Sequence, residues 1–196
     1  MIRNGGILAE SELDISEAIA WAYKGEVEQA EPLLDRAISE LERFRSKSIR
    51  WGCILAKAYN NRGYVRRVIG RHCGAIEDYK RALPLWNQED IRLMVELANT
   101  RNNLAFAQAE VGRTDAANRL ARSALELRKR LGPRIPVGLS LNTLAHIAIR
   151  DNLTVTARDY AGQALSLFKA LEDKRGKGLA LTALAEALRR RGEQKN

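Results

Sequence analysis

The sequence has little proline, few aromatic residues and almost no cysteine. Only four prolines and 6% aromatics occur among 196 residues, which argues against a β-sandwich or a barrel. No apolar run reaches the ~18 residues of a membrane span, and the N-terminus lacks the apolar stretch of a secretion signal. The two cysteines, Cys53 and Cys73, have no paired spacing that would suit a metal. These absences predict a cytoplasmic protein that is not bound to a membrane and holds no metal or other cofactor.

A unit of about 40 residues recurs along the chain. Its marker is a glycine or an asparagine, and successive markers are 45, 42, 40 and 40 residues apart. The five markers are Gly25, Gly70, Gly112, Asn152 and Gly192. A period in this range indicates stacked helical hairpins, in which the marker supplies the left-handed turn residue between two helices.

Small residues also recur at fixed distances from each marker. One precedes the marker by seven positions, an alanine follows the marker, and a second alanine comes seven residues after the first. These sets are Ala18, Gly63, Ala105, Ala145 and Ala185; Ala30, Ala75, Ala117 and Ala157; and Ala37, Ala82, Ala124 and Ala164. Small side chains at fixed places let the two helices of a hairpin approach closely, so each unit is predicted to be one hairpin.

The pattern predicts nine helices. They cover about 11–24 and 27–46, 48–69 and 74–86, 88–111 and 115–131, 138–151 and 154–173, and finally 175–191. Ser11 or Asp14 is the expected N-cap of the first helix. The last helix has no partner in this sequence, so it is expected either to cap the stack or to mark where a larger protein was cut.

Four segments carry a resemblance to a known family. They are QAEPLLDRAI at 29–38, NNRGYVRRVIGRHCGAIEDYKRALPL at 60–85, RNNLAFAQAEVGRTDAANRLARSALELRKRLGP at 101–133 and LNTLAHIAIRDNLTVTARDYAGQALSL at 141–167. They resemble the tetratricopeptide repeat, in the longer form of about 42 residues found in kinesin light chains and bacterial signalling proteins. The resemblance implies an all-α solenoid, a right-handed superhelix of stacked antiparallel hairpins. It also implies one array over residues 1–196, with repeats at about 11–47, 48–87, 88–131 and 138–173 and a final unpaired or capping helix at 175–191.

Two arginines depart from the family pattern. Arg62 and Arg66 stand where the family usually places large apolar groups. An unpaired buried guanidinium costs several kcal/mol, so these side chains are expected to be partly exposed along the helix surface or paired internally.

The resemblance also implies where a partner would bind. In this family the first helix of each hairpin lines the inner, concave surface, and side chains four apart on one helix share a face. Three asparagines fall at equivalent positions there, and an asparagine offers both a donor and an acceptor to an extended peptide backbone. The predicted peptide-binding residues are Asn60, Tyr64, Arg67, Asn102, Phe106, Asn142, His146, Arg150, Glu186 and Arg189. The alternative is that the asparagines hydrogen-bond between neighbouring helices and only tie the repeats together.

Charge is unevenly distributed along the chain. Residues 1–45 carry a net charge of −5 and the remaining residues carry +14. The positive field favours an anionic partner, for which an acidic peptide is one candidate. The acidic first repeat could also meet the basic end of another copy, so self-association is considered. Nucleic acid is an unlikely partner, because no nucleic-acid motif is present and Trp21, Trp51 and Trp86 have core-like spacing.

No catalytic signature is present. The sequence has no Gly-rich phosphate loop, no His-Glu-x-x-His and no nucleophile in a known motif, so we do not expect an enzyme. The predicted function is a protein–protein interaction module that binds a peptide segment in the concave groove. The alternative is a sensor or regulatory domain of a larger bacterial signalling protein or transcriptional regulator.

Overall fold

A computed structural model describes residues 2–44, 48–86, 90–132 and 134–193. Every regular element within those ranges is helical, and they contain no β-strand. The helices are α1 (Ile2–Lys24), α2 (Val27–Arg43), α3 (Ile49–Val68), α4 (His72–Ala82), α5 (Ile91–Glu110), α6 (Thr114–Leu131), α7 (Arg134–Arg150), α8 (Thr154–Ala170) and α9 (Lys174–Glu193), with a 3-10 turn at Leu83–Leu85. The predicted all-α class is confirmed.

The chain forms two compact units, Met1–Thr100 and Arg101–Asn196, and the boundary falls inside α5. In unit 1, α1 packs on α2, α3 packs on α4, and α3 also contacts α1 and α2. In unit 2, the last part of α5 packs on α6, and α7 contacts α6, α8 and α9. Each unit is therefore a stack of antiparallel helical hairpins. The expectation of a single array over residues 1–196 stays a prediction.

Small residues fill the contacts within the hairpins, as their spacing predicted. Both alanine sets that follow the turn markers are fully buried, as are the small residues before the first four markers. The marker residues Gly25, Gly70, Gly112 and Asn152 all have positive φ, between 58° and 86°. The prediction of a turn at the fifth marker is wrong, because Gly192 lies within α9, which continues to Glu193.

Helix α1 begins at Ile2, not near residue 11 as predicted. Ser11 and Asp14 are consequently not caps: both are buried in the interior of the helix. Asp14 instead accepts a hydrogen bond from Arg36 Nε of α2 at 2.8 Å. Inside a helix the backbone N–H groups already bond to carbonyl oxygens four residues earlier, so Asp14 has no free N–H group to cap and its carboxylate serves the packing of α1 on α2.

Prolines account for two further boundary errors. The predicted helix at 74–86 ends at Ala82, because Pro84 lacks an N–H and its ring clashes with the carbonyl four residues earlier. The chain continues there as the 3-10 turn. In contrast, α7 begins at Arg134 rather than near 138, since Pro136 stands in the first turn, where its missing N–H has no intrahelical partner to lose.

Arg62 and Arg66 are paired internally, which decides between the two expectations for them. Arg62 Nη2 lies 2.6 Å from Asp78 Oδ1, and Arg66 Nη1 lies 3.0 Å from Asp78 Oδ2. Asp78 is only 1% exposed. Outer carboxylates complete the network, because Arg62 also contacts Asp35 at 2.6 Å and Arg66 contacts Glu31 at 2.8 Å. Unit 1 thus contains a buried carboxylate held by two guanidinium groups.

Candidate peptide-binding faces

The predicted peptide-binding residues lie on the odd-numbered helices of both units. Unit 1 holds three of them on α3, and unit 2 holds the other seven on α5, α7 and α9. We call the surface that α1, α3 and the start of α5 form in unit 1, and the surface that the rest of α5, α7 and α9 form in unit 2, the odd-helix faces. Each face is described separately.

A cavity of about 390 Å³ opens on the odd-helix face of unit 1. Its apolar lining comes from Ile15 and Ile19 of α1, Ile54 of α3 and Trp86. Its polar lining is Glu12, Ser16, Lys57, Asn60, Asn61 and Glu96. A cavity of this volume that combines an apolar floor with a rim of polar groups can receive a side chain and hydrogen-bond the chain that carries it.

Asn60 is tied to the neighbouring odd helix by its carbonyl oxygen. Trp86 Nε1 donates to Thr100 Oγ1 at 2.9 Å, and Thr100 Oγ1 lies 3.2 Å from Asn60 Oδ1. The Thr100 hydroxyl also lies 2.9 Å from the carbonyl oxygen of Glu96, so its single proton is shared between two acceptors. Trp86 and Thr100 are both buried, which makes this chain of bonds part of the fold.

Asn102 takes part in the same arrangement in unit 2, with different donors. Arg128 Nη1 donates to Ser140 Oγ at 2.7 Å, and Ser140 Oγ donates to Asn102 Oδ1 at 3.2 Å. Arg128 also donates to the carbonyl oxygen of Pro136 at 2.8 Å, and burial lowers the pKa of Arg128 to about 10. The guanidinium therefore stays charged at neutral pH and anchors the Asn102 carbonyl through the Ser140 hydroxyl.

Asn142 differs from the other two asparagines. Ser140 supplies the hydroxyl that reaches Asn102. The equivalent residue for Asn142 stands 40 residues after Ser140 and is Ala180, which has no hydroxyl. The donor position is also apolar, since Phe168 stands 40 residues after Arg128 and packs in one core cluster with Ala180. Asn142 Oδ1 is buried and accepts no hydrogen bond from the described residues. Of the three asparagine carbonyls, this one alone is not used to tie two described helices.

Tyr64 and Arg67 stack on each other on α3. The Arg67 guanidinium carbon lies 5.1 Å from the centre of the Tyr64 ring, which is within the range of a cation–π contact. Both residues are half-buried. Arg67 also lies against Tyr79 of α4 and offsets part of the rise in pKa that burial gives the Tyr79 hydroxyl.

Phe106 and His146 form a stacked pair between α5 and α7. Their ring centres are 4.3 Å apart and their planes differ by 11°. His146 Nε2 lies 2.5 Å from Glu110 Oε1, and Arg150 Nη2 donates to the Glu110 backbone oxygen at 3.1 Å. Four side chains from two helices thus converge on one patch. Glu110 is absent from the predicted set, although it stands four residues after Phe106 and so shares its helix face.

Glu186 and Arg189 are paired with each other on α9, and Arg190 joins them. Arg189 Nη2 lies 2.9 Å and Arg190 Nε lies 2.6 Å from Glu186 Oε1. These two arginines lower the pKa of Glu186 to about 2. Arg190 also donates to the carbonyl oxygen of Ile149 at 2.9 Å, so the cluster fixes the end of α9 against the end of α7.

The sequence predicts no metal site, and this stays a prediction. Among the described residues, no group of three or more His, Cys, Asp or Glu side chains is arranged to hold a metal ion. Cys53 and Cys73 are free thiols.

Within the described residues, no helix has the length and apolar character needed to cross a bilayer.

The stacked hairpins and their 40- to 45-residue period define a helical repeat protein. Residues 54–130 match the family model of the tetratricopeptide repeat. These residues therefore contain tetratricopeptide repeats, and the resemblance that the sequence showed is confirmed. No match is found among curated protein sequences.

Solved structures of three proteins are similar in fold. The repeats of a protein described as a kinesin light chain, from Podosopora anserina, give a TM-score of 0.70 at 14% identity over 95% of this chain and 89% of that one. A signal transduction ATPase with numerous domains and a tetratricopeptide repeat sensor, from Pyrococcus horikoshii, gives 0.73 at 15% identity over 92% of this chain. A Rap protein complexed with Competence and Sporulation Factor gives 0.63 at 15% identity over 95% of this chain. This chain spans 27% of the ATPase and 62% of the Rap protein, and at these identities the likeness shows the fold alone.

Proposed function

We propose that the chain is a protein–protein interaction module that binds an extended peptide segment of a partner on its odd-helix faces. Tetratricopeptide repeat proteins are generally non-catalytic scaffolds, and residues 54–130 match that family. The observation that carries the proposal is the cavity of unit 1, because all its lining residues except Trp86 come from odd-numbered helices. Its apolar floor takes a side chain, and the polar rim takes the peptide backbone.

Unit 2 supports the proposal in a different way. Asn142 Oδ1 is a buried acceptor that no described residue satisfies. Because the residue as a whole is only half-buried, rotation of its side chain would present this oxygen to a backbone N–H of a bound peptide. Leaving such a group unsatisfied costs free energy, so a ligand that pairs with it gains that amount. Of the three asparagines at equivalent positions, Asn142 is therefore the candidate for accepting a peptide N–H. The carbonyls of Asn60 and Asn102 already accept bonds from Thr100 and Ser140.

The charge of unit 2 favours an acidic segment at that face. Residues 101–196 carry 18 basic and 9 acidic residues. A surface with this excess attracts anions over distances of about 10 Å at moderate ionic strength. We expect the bound segment to carry Asp or Glu where it meets unit 2, and its affinity to fall as salt is raised.

The test selects peptides from a random library displayed on phage against the 196-residue chain, then measures their affinities by fluorescence anisotropy. Lys57→Ala and Glu96→Gln alter the rim of the unit 1 cavity, and each is expected to weaken binding there about tenfold. Asn142→Ala tests unit 2: it is expected to weaken binding while leaving stability close to wild type, because the Asn142 carbonyl has no bond to lose.

Matched controls lie on α4. Lys80→Ala and Glu77→Gln make the same chemical changes at exposed positions of an even-numbered helix and are expected to leave every affinity unchanged. Recovery of no peptide, or of peptides that bind the cavity and Asn142 variants as tightly as wild type, contradicts the proposal. An affinity that does not change between low and physiological salt contradicts the acidic segment alone.

A second candidate function is the sensor domain of a larger regulator. The observation that favours it is the likeness in fold to the ATPase that carries a tetratricopeptide repeat sensor and to the Rap protein complexed with a peptide factor. In this version the same odd-helix faces receive the ligand. Sequencing of the complete gene tests it, since an adjoining ATPase or DNA-binding segment is required.

A further inference from the structure

Helix α9 has an exposed row of apolar residues on its outward side. Leu181 is 52% exposed and Leu188 is 49% exposed. Together with Gly178 and Ala185, which are also exposed, they follow a spacing of three, four and three residues. An alternation of three and four residues is the spacing of a heptad seam along which one helix packs against another.

The equivalent row of α7 is covered. Forty residues earlier, Leu141 is 8% exposed and Ala148 is 3% exposed, and both belong to core clusters that include residues of α8. Ala145 is fully buried, whereas its equivalent Ala185 is exposed. The row on α9 is therefore a packing surface of the repeat that no described helix covers.

Helix α1 carries a second exposed row of the same kind. Leu13 is 67% exposed and Tyr23 is 76% exposed. The row alternates three and four residues over Gly6, Ala9, Leu13, Ser16, Ala20 and Tyr23, all of which are exposed. Two helices of one chain thus present matching seams, each longer than two turns.

The charges beside the two seams are opposite. In the heptad that the seam of α1 defines, the flanking positions hold Glu10, Glu12 and Glu17, with one basic residue, Lys24, at the end of the helix. Those beside the seam of α9 hold Lys177 and Arg191, with Arg189 following Leu188. Charges at such flanking positions set partner choice in helix pairs. A pairing of α9 with α9, or of α1 with α1, would bring like charges together, whereas α9 against α1 brings opposite charges together.

We propose that α9 of one copy of this chain packs against α1 of a second copy through these two rows. The contact is heterologous, so each added copy leaves one α1 and one α9 uncovered, and association continues until a ring closes or a filament forms. The seams are short, which predicts a reversible association that grows with protein concentration. This inference goes beyond the proposed function and does not depend on it.

The test is sedimentation velocity of the 196-residue chain over a range of concentrations. We expect the average mass of wild type to rise with concentration and to fall again when salt is raised. Leu13→Arg blocks the seam of α1 and Leu188→Lys blocks the seam of α9, so each variant alone is expected to remain monomeric. An equal mixture of the two is expected to form a dimer and nothing larger, because only one intact α1 and one intact α9 remain to pair.

The control is Leu153→Arg, which places the same charge at an apolar position that is also 52% exposed but lies before α8. It is expected to associate like wild type. A wild-type chain that stays monomeric up to its solubility limit overturns the proposal, as does Leu13→Arg pairing with itself or a mixture that stays monomeric. Ser16 belongs both to the seam of α1 and to the lining of the unit 1 cavity, so peptide affinity is measured on Leu188→Lys. That variant is expected to remain monomeric with an unchanged cavity, so the two proposals fail separately.

Discussion

The two units share one architecture but differ in the chemistry of equivalent positions. In unit 1, Arg62 of α3 pairs with the buried carboxylate of Asp78 on α4. Forty-two residues later, in unit 2, the same two positions hold Leu104 and Leu120. The hairpin thus tolerates either an ion pair or two leucines at these two positions, because what it requires is a filled space with no unsatisfied group.

A second pair of positions shows the same exchange in volume. Gly63 faces Tyr79 in unit 1, and a Cβ at Gly63 would lie only 2.7 Å from Tyr79 Cε1. The equivalent pair in unit 2 is Ala105 and Ala121, both fully buried. One unit combines a glycine with a large ring, and the other divides the space between two alanines.

Net charge separates the units as clearly. Residues 1–100 carry 15 basic and 15 acidic residues, whereas residues 101–196 carry 18 and 9. The whole net charge of +9 therefore belongs to unit 2. Most arginines of unit 1 form ion pairs with carboxylates of the same unit. We therefore expect an anionic partner to bind unit 2.

The largest expected effect comes from breaking the ion-pair network of unit 1. Asp78→Ala leaves Arg62 and Arg66 without their shared carboxylate, and removal of one partner of a buried pair costs about 3–5 kcal/mol. We expect urea unfolding to show this loss. The carboxylates of Asp35 and Glu31 remain within reach of the two arginines, which places the expected value toward the lower end.

The control for that prediction introduces into unit 1 the two residues that unit 2 has at the equivalent positions. The double variant Arg62→Leu with Asp78→Leu places leucines at both positions, as in unit 2. Of the two arginines it leaves only Arg66 without Asp78, and Arg66 keeps Glu31 at 2.8 Å. We expect it to be more stable than Asp78→Ala, since replacement of a buried ion pair by packed apolar groups is often neutral. A double variant less stable than Asp78→Ala would show that unit 1 requires the ion pair.

A smaller effect is expected from adding one methyl group at Gly63. Gly63→Ala places a Cβ against the ring of the buried Tyr79, and overpacking of this kind costs about 1–3 kcal/mol. Gly162→Ala is the matched control, because a Cβ there meets nothing within 4 Å and α8 gains helix propensity of about 1 kcal/mol. Thermal unfolding of both variants separates the two outcomes, and a stabilised Gly63→Ala contradicts the packing argument.

The fold could be predicted further than the site, for a physical reason. Turn glycines and buried alanines are local requirements of backbone geometry, so the period placed most hairpins correctly. Errors arose where Pro84 and Pro136 moved a boundary and at the two ends of the repeat pattern, in α1 and at Gly192. The internal pairing of Arg62 remained one of two alternatives, since the position of a partner on another helix cannot be read from spacing along one helix.

The site could be predicted only as a set of candidates. The equivalence of Asn60, Asn102 and Asn142 is visible in the sequence, but their roles depend on a hydroxyl from the following odd helix. The sequence contains a pattern that reflects this pairing, because Thr100 and Ser140 each stand two residues before one of the three equivalent asparagines. It had no evident meaning until the structure placed each hydroxyl beside the asparagine of the preceding repeat.

The smallest expected effect concerns the asparagine that lacks such a hydroxyl. Ala180→Ser places a hydroxyl at the position that Thr100 and Ser140 occupy in the earlier repeats, and the new group is expected to donate to Asn142 Oδ1. A net hydrogen bond of this type contributes about 0.5–1.5 kcal/mol, which urea unfolding would detect as a gain.

Ala180→Cys is the matched control, because a thiol adds similar volume but is a weak donor. If Ala180→Ser is no more stable than Ala180→Cys, then the Asn142 carbonyl is not within reach of position 180. The same variant also sharpens the contrast between the asparagines. Once its carbonyl is occupied, Asn142 becomes equivalent to Asn60 and Asn102, so a peptide that binds unit 2 through this acceptor must lose affinity for Ala180→Ser but not for Ala180→Cys.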